Sequence, residues 1–332
     1  MKPLRCAAGI LAAVLLSSVL PLAAAGKDKK KDVDAIGERR VARRSIISQE
    51  KEIGIGKQYA SEIDRTAKMV TDPVVNEFVN RLAQNVARNS DLTIPLTVKV
   101  IDSPELNAFA LPGGFLYINS GLLVAAEEEA QVAGVVAHEI AHVAARHWAS
   151  QMTKATLLQY AMIPLIFTPM SYPVYMGVST ALNFGVPMAF LKFSRGDEAE
   201  ADLLGLQYMY KAGYDPSAYV TFFSKIIEQD RRNPGSVPTI FNDHPPTGER
   251  ILKSEGQIKE ILPKREQYLV STSEFDDVKA RLQSFMSLKK KGEKKEGPTL
   301  HKRETTDQAG AEQQPAQTSK DEDKPPVLRR RD

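Results

Sequence analysis

The sequence predicts a mainly helical α+β fold in which a small sheet lies beside one buried central helix. Three observations carry that prediction. Residues 130–145 are rich in Ala, Gly and Val, with Val132, Val135, Val136, Ile140 and Val143 at helical spacing and small residues on the other faces. Two upstream segments repeat apolar residues with a helical period. Only 96–101 and 115–119 alternate as strands do. With 332 residues and 42% hydrophobic content, the chain can bury one sizeable core. Its net charge of +3 is too small, and its basic residues too scattered, for a nucleic-acid interface.

Residues 1–25 read as an export signal: Lys2 and Arg5, an apolar run from Ala7 to Leu22, then Ala23-Ala24-Ala25 before Gly26. The only cysteine, Cys6, lies inside this segment, so the rest carries no thiol, which suits an oxidising compartment. The same run, followed by Lys27, Lys29, Lys30 and Lys31, also fits a retained membrane anchor. Residues 26–44 are charged and expected to be flexible. A helix is expected over 48–67, with Ile55, Tyr59 and Ile63 on its apolar face. Another begins at Asp72 and Pro73 and turns Val75, Phe78, Val79, Leu82 and Val86 inward. Leu96 to Ile101 and, after a Pro-Gly-Gly turn, Phe115 to Asn119 are the expected strands.

The central helix follows, with Glu127, Glu128 and Glu129 at its start and Arg146 and His147 near its end, as the helix dipole favours. No residue between Lys154 and Lys192 is charged, but Pro164, Pro169, Pro173 and Pro187 leave no unbroken run near the roughly 20 residues of a membrane span. A helical hairpin over the cleft is expected there, offering apolar surface to unfolded chains or to a membrane face. Residues 256–288 carry two more amphipathic stretches, with Phe275, Val278, Leu282 and Phe285, and no 34-residue repeat is visible. From Lys289 onward the chain has no aromatic residue and is expected to be a disordered tail.

The chemistry lies in Ala137-His138-Glu139-Ile140-Ala141-His142. Two histidines four apart sit roughly 40° from each other on a helix, so both imidazoles can point at one ion. Glu139 beside the first is placed to act as general base on water held by that ion. Together they point to a zinc hydrolase. A catalytic zinc takes a third protein ligand. A histidine six residues beyond the second is excluded, because position 148 is Trp148. His147 would lie about 140° around an ideal helix from His142, so it is expected to pack structurally or behind a ligand. The remaining source is Ser194-Arg195-Gly196-Asp197-Glu198-Ala199-Glu200-Ala201-Asp202. There Glu198 can bind zinc while Asp202, one turn on, accepts a hydrogen bond from a ligand histidine; Glu200 is expected to face away.

These motifs resemble the zinc metallopeptidases that include the CAAX prenyl endopeptidases and the bacterial periplasmic proteases of BepA type. The resemblance also covers Asn107-Ala108-Phe109-Ala110-Leu111-Pro112-Gly113-Gly114 and His244-Pro245-Pro246-Thr247 with Glu249-Arg250-Ile251, so that it spans roughly residues 45–255. It implies a zincin-type metalloprotease domain over 45–255. Before that domain come the signal (1–25) and a flexible segment (26–44); after it come a helical extension (256–288) and the tail (289–332). It implies one Zn²⁺ held by His138, His142 and Glu198, with Glu139 as base and Asp202 behind a ligand. His244 is implied at the open metal position, either assisting the oxyanion or plugging the site. Phe115, Leu116, Tyr117, Ile118 and Asn119 are expected at the sheet edge, pairing with an extended substrate.

The expected function is periplasmic endopeptidase activity on unfolded or misassembled envelope proteins, with peripheral contact to a membrane face or to membrane-protein assembly machinery. The alternative is a periplasmic chaperone or assembly factor with a structural zinc.

Overall fold

The computed structural model describes residues 29–164, 171–180, 192–232, 244 and 247–293. The expected export signal, the tail beyond 293 and parts of the uncharged 155–191 stretch lie outside these residues. The chain divides into a unit ending at Lys289 and a second unit from Lys290. Among the described residues, ten α-helices accompany one three-stranded sheet, and the fold is the mainly helical one expected.

Helix α1 (Gln49–Thr66) starts at Ser48, whose side chain accepts from the Lys51 N–H. Its buried face runs through Glu52, Gly56 and Ala60 instead of the expected Ile55, Tyr59 and Ile63, and Tyr59 is exposed. Small residues explain the choice, because a side chain at Gly56 would overlap the Pro112 carbonyl. Helix α2 (Pro73–Arg88) is capped by Asp72, which accepts from Val74 and Val75, and all five residues expected inward are buried.

The sheet joins β1 (Thr97–Ile101), β2 (Ala108–Leu111) and β3 (Phe115–Asn119) in the order β1-β3-β2. Strand β3 pairs parallel with β1, Thr97 opposite Phe115, and antiparallel with β2, Ala108 opposite Ile118. The Gly113 and Gly114 turn between β2 and β3 has positive φ at both residues, which glycine adopts without steric cost. Phe115 to Asn119 therefore form the central strand, and the expectation that they form an open substrate edge is corrected. Leu116, Tyr117, Ile118 and Asn119 are buried, and the edge on this side belongs to β2.

Helix α3 (Ser120–Ala125) leads into α4 (Glu129–Ala144), every residue of which is buried. It packs against α2, β2, α7 (Arg195–Lys211) and α8 (Ser217–Arg232). On α7, a methyl at Gly205 would lie 3.1 Å from the His138 backbone nitrogen, so glycine permits the close crossing of the two helices that carry the motifs. Helices α5 (His147–Met162) and α6 (Tyr172–Thr180) expose Leu157, Tyr160, Tyr172 and Val174. No helix among the described residues is long and apolar enough to cross a membrane.

Helices α9 (Gly248–Ile261) and α10 (Ser273–Glu293) are the last of the described elements. Phe275, Val278 and Leu282 of α10 belong to the main core, so 256–288 is part of the domain and not an extension to it. Phe285 is exposed.

Residues 29–44 are likewise ordered against the domain. Arg39 is 7% exposed and donates to Asp91 (2.9 Å), Gln207 Oε1 (2.7 Å) and the Lys30 carbonyl (2.7 Å). Val33 and Val41 are buried beside it in sequence. The charged run was expected to be flexible, but a guanidinium carries five donors, and Asp91, Gln207 and backbone carbonyls surround this one to bury it paired.

Candidate metal centre

Helix α4 presents His138, Glu139 and His142 on one side, α7 presents Glu198 and Asp202, and His244 enters from the segment before α9. Ligand-type atoms of His138, His142, Glu198 and His244 all lie within 4.8 Å of one another, and all four residues are buried. His138 Nε2 is 3.1 Å from His142 Nε2, 3.5 Å from Glu198 Oε2 and 3.5 Å from His244 Nδ1. Glu198 Oε1 is 3.5 Å from His142 Nε2 and 2.9 Å from His244 Nδ1. A tetrahedral zinc with bonds of about 2.0–2.1 Å places its ligand atoms roughly 3.3 Å apart. The edges of this cluster, nitrogen and carboxylate donors alike, fit that size and chemistry. Glu139 sits beside the cluster with Oε1 buried and without a hydrogen-bond partner among the described residues.

The sequence foretold only part of what holds His138. Asp202 Oδ1 lies 3.2 Å from His138 Nδ1, as expected, and two further groups fix that carboxylate. Tyr219 on α8 donates its hydroxyl to Asp202 Oδ1 at 2.5 Å and also lies 3.2 Å from His138 Nδ1. Arg250 on α9 donates Nε to Oδ2 (2.8 Å) and Nη2 to Oδ1 (2.6 Å), and its Nη1 is 2.9 Å from Glu198 Oε2. Tyr219 carries no motif and looks like one more aromatic on an apolar helix face. Arg250 appeared only as part of a matching stretch, and its role depends on α9 folding back over α7.

His142 is held differently. Helix α4 stops at Ala144, Arg146 adopts φ 55 and ψ 42, and α5 begins at His147. That left-handed residue bends the chain. His147 therefore does not continue the α4 spiral as assumed, and its Nδ1 lies 2.9 Å from His142 Nδ1. Arg146 is tied down by Glu52 (2.8 Å) and the Ile47 carbonyl (2.7 Å). On its other side His147 Nε2 lies 3.3 Å from Glu200 Oε2. Glu200 is outside the ligand cluster but does not face away from the site. The Phe193 ring covers His142, with centroids 4.2 Å apart.

Electrostatics follow from these contacts. Burial opposes a charge on His138, but the carboxylates of Asp202 and Glu198 outweigh it and raise its pKa to about 9. Burial and the neighbouring histidines push His142 well down. For Glu198, hydrogen bonds from His138 and His244 overcome burial and hold the carboxyl far below its usual range. Glu139 goes the other way, raised by burial. Its Oε2 accepts the Ala110 N–H of β2 at 3.0 Å.

Residues 71–257, more than half of the chain, match peptidase family M48. The chain belongs to peptidase family M48. Relatives of this M48 chain include the "Beta-barrel assembly-enhancing protease" of Escherichia coli (strain K12), 29% identical over 280 residues, which are 82% of this chain and 55% of the relative. The protein of the same name from Yersinia pestis is 27% identical over 226 residues, 66% of this chain and 46% of the relative. The "Mitochondrial metalloendopeptidase OMA1" of Schizosaccharomyces pombe is 32% identical over 192 residues, 57% of this chain and 55% of the relative. The M48 chain thus spans about half the length of the curated relatives it matches. The family is one of peptidases, and the Schizosaccharomyces pombe relative is named a metalloendopeptidase.

Proposed function

We propose that this M48 chain is a zinc endopeptidase of the bacterial periplasm that hydrolyses unfolded or misassembled envelope proteins, β-barrel proteins in assembly among them. One observation carries the chemistry: His138, His142 and Glu198 converge at zinc-ligand spacing beside a buried glutamate whose Oε1 has no partner among the described residues. A structural site has no need of such a base, which sets the proposal against a chaperone with a structural zinc. The relatives' printed name, together with the sequence's export signal and absence of later cysteines, supports the substrate class and compartment.

His138, His142 and Glu198 would hold the ion. Zinc, when bound, acts as a Lewis acid that polarises a carbonyl and lowers the pKa of water from 15.7 toward about 7. Glu139 performs the proton transfers. The Ala110 N–H holds Oε2, leaving Oε1 to accept the proton of the attacking water, and the raised pKa of this carboxyl lets it return that proton to the leaving amine.

Substrate would pair with β2. Asn119 N–H donates to the Asn107 carbonyl, so alternation turns the backbone groups of Ala108 and Ala110 to the open side, where Ala110 already reaches Glu139. An extended peptide there would gain main-chain hydrogen bonds next to the base, so selection would fall on exposed backbone.

His244 would be a plug. Its Nδ1 lies among the ligand atoms and its Nε2 is 3.7 Å from Glu139 Oε1, so the ring occupies the space that water needs between base and ion. The oxyanion role would require the ring to stand off the ligand cluster. Cleavage of casein by zinc-loaded wild type against zinc-loaded Glu139→Gln tests the function. Proteolysis that Glu139→Gln abolishes supports it, whereas equal activity, or silence of both the wild type and His244→Ala, rejects it.

A further inference from the structure

We propose that His147 and Glu200 form a hydrogen-bonded chain that fixes the tautomer and orientation of His142 for metal binding, so that both are positioning residues. The proposal rests on the zinc reading above and assigns work to two groups which that reading does not use.

The direction of each hydrogen bond follows from one requirement. His142 turns Nε2 to the ligand cluster, 3.1 Å from His138 Nε2 and 3.5 Å from Glu198 Oε1. A ligating nitrogen offers a lone pair, so the single proton of a neutral imidazole must sit on Nδ1. That Nδ1–H points at His147 Nδ1, 2.9 Å away, which can accept only if it is bare. The proton of His147 is thereby placed on Nε2, where Glu200 Oε2 accepts it at 3.3 Å. Arg43 holds the same Glu200 oxygen through Nε (2.9 Å) and Nη2 (2.5 Å), and Lys30 holds the other at 2.5 Å.

The backbone supports the assignment independently. Arg146 has φ 55, a conformation uncommon outside glycine, and it separates α4 from α5 just before His147. An unbroken helix would carry His147 about 140° round from His142. The bend brings it back, 0% exposed, against the one nitrogen of His142 that faces away from the cluster. Residues held in such conformations persist where the surrounding structure fixes them, and they gather at functional sites.

The test measures zinc affinity by chelator competition on the full chain, with unfolding of the zinc-free proteins as control. His147→Phe keeps the ring and removes both nitrogens, and Glu200→Ala removes the terminal acceptor. Each should weaken zinc by about 10–100-fold, the usual effect of losing a partner behind a metal ligand. The double variant should be no weaker in zinc binding than the worse single one, because Glu200 reaches His142 only through His147. Glu200→Gln, which keeps an acceptor, should recover most of the loss. Nitrogen-15 spectra of the zinc-loaded wild type should show protons on Nδ1 of His142 and Nε2 of His147. If His147→Phe does not fold, the two Glu200 variants and the spectra still decide. Unchanged affinity in the folded variants, additive losses or the opposite tautomers overturn the relay alone, provided the wild type binds zinc. A wild type without tight zinc binding overturns the metal reading as well.

Discussion

Glu139 and His244 face each other at 3.7 Å, and the two residues predict opposite outcomes on mutation. Glu139→Gln should keep its zinc and its fold and lose about 10²–10⁴-fold in turnover, because an amide cannot accept the proton of water. Metal analysis beside a peptidase assay checks both halves. His244→Ala should raise turnover at equal zinc occupancy, since it clears the space in front of the base. A fall of 10²–10³-fold would restore the oxyanion role. At this scale the sequence was informative wherever ligand geometry is local. His138 and His142, or Glu198 and Asp202, are one helical turn apart, so their convergence follows from the helix itself. The contacts of Tyr219 and Arg250 to Asp202 were not foreseen because they join different helices and depend on how those helices pack. His147 was misplaced because an ideal helix was extended through Arg146, whose positive φ no residue type announces.

Helices were legible from periodicity and caps, and α2 matched in start and buried face. Strand β2 was not recognised. Ala108-Phe109-Ala110-Leu111 has four apolar residues and no polar alternation, so its strand character comes only from pairing with β3. Missing it moved the substrate edge to the wrong strand. The face of α1 was misjudged for a related reason: apolar residues were taken as the buried ones, whereas close packing selected Gly56 and Ala60. Gly56→Ala should accordingly destabilise the protein by about 1–3 kcal/mol, the range for overpacking, because the new methyl would meet the Pro112 carbonyl. A lower urea midpoint with unchanged slope would show it. Gly54→Ala, with open space around the same helix, should not.

For the molecule as a whole, the N-terminal strap of residues 29–44 departs furthest from the sequence reading. Composition describes how charged a segment is, not whether acceptors await it elsewhere. Arg39 and Asp91 have side chains only 1% exposed. Replacing Arg39 by alanine should therefore cost about 3–5 kcal/mol, the penalty for leaving a buried charge unpaired, measurable by equilibrium denaturation. The strap also has a consequence in time. Lys30 and Arg39 bond to Glu200 and Gln207, partners 170 and 168 residues further along the chain. A ribosome makes the strap first and α7 much later, so these bonds close only when most of the domain has emerged. Until then the chain has His138 and His142 but not Glu198, and the bonds from the strap to Glu200 and Gln207 are still open. A newborn copy thus lacks part of the proposed ligand set, and Glu198 arrives with the same helix that fastens Lys30 and Arg39.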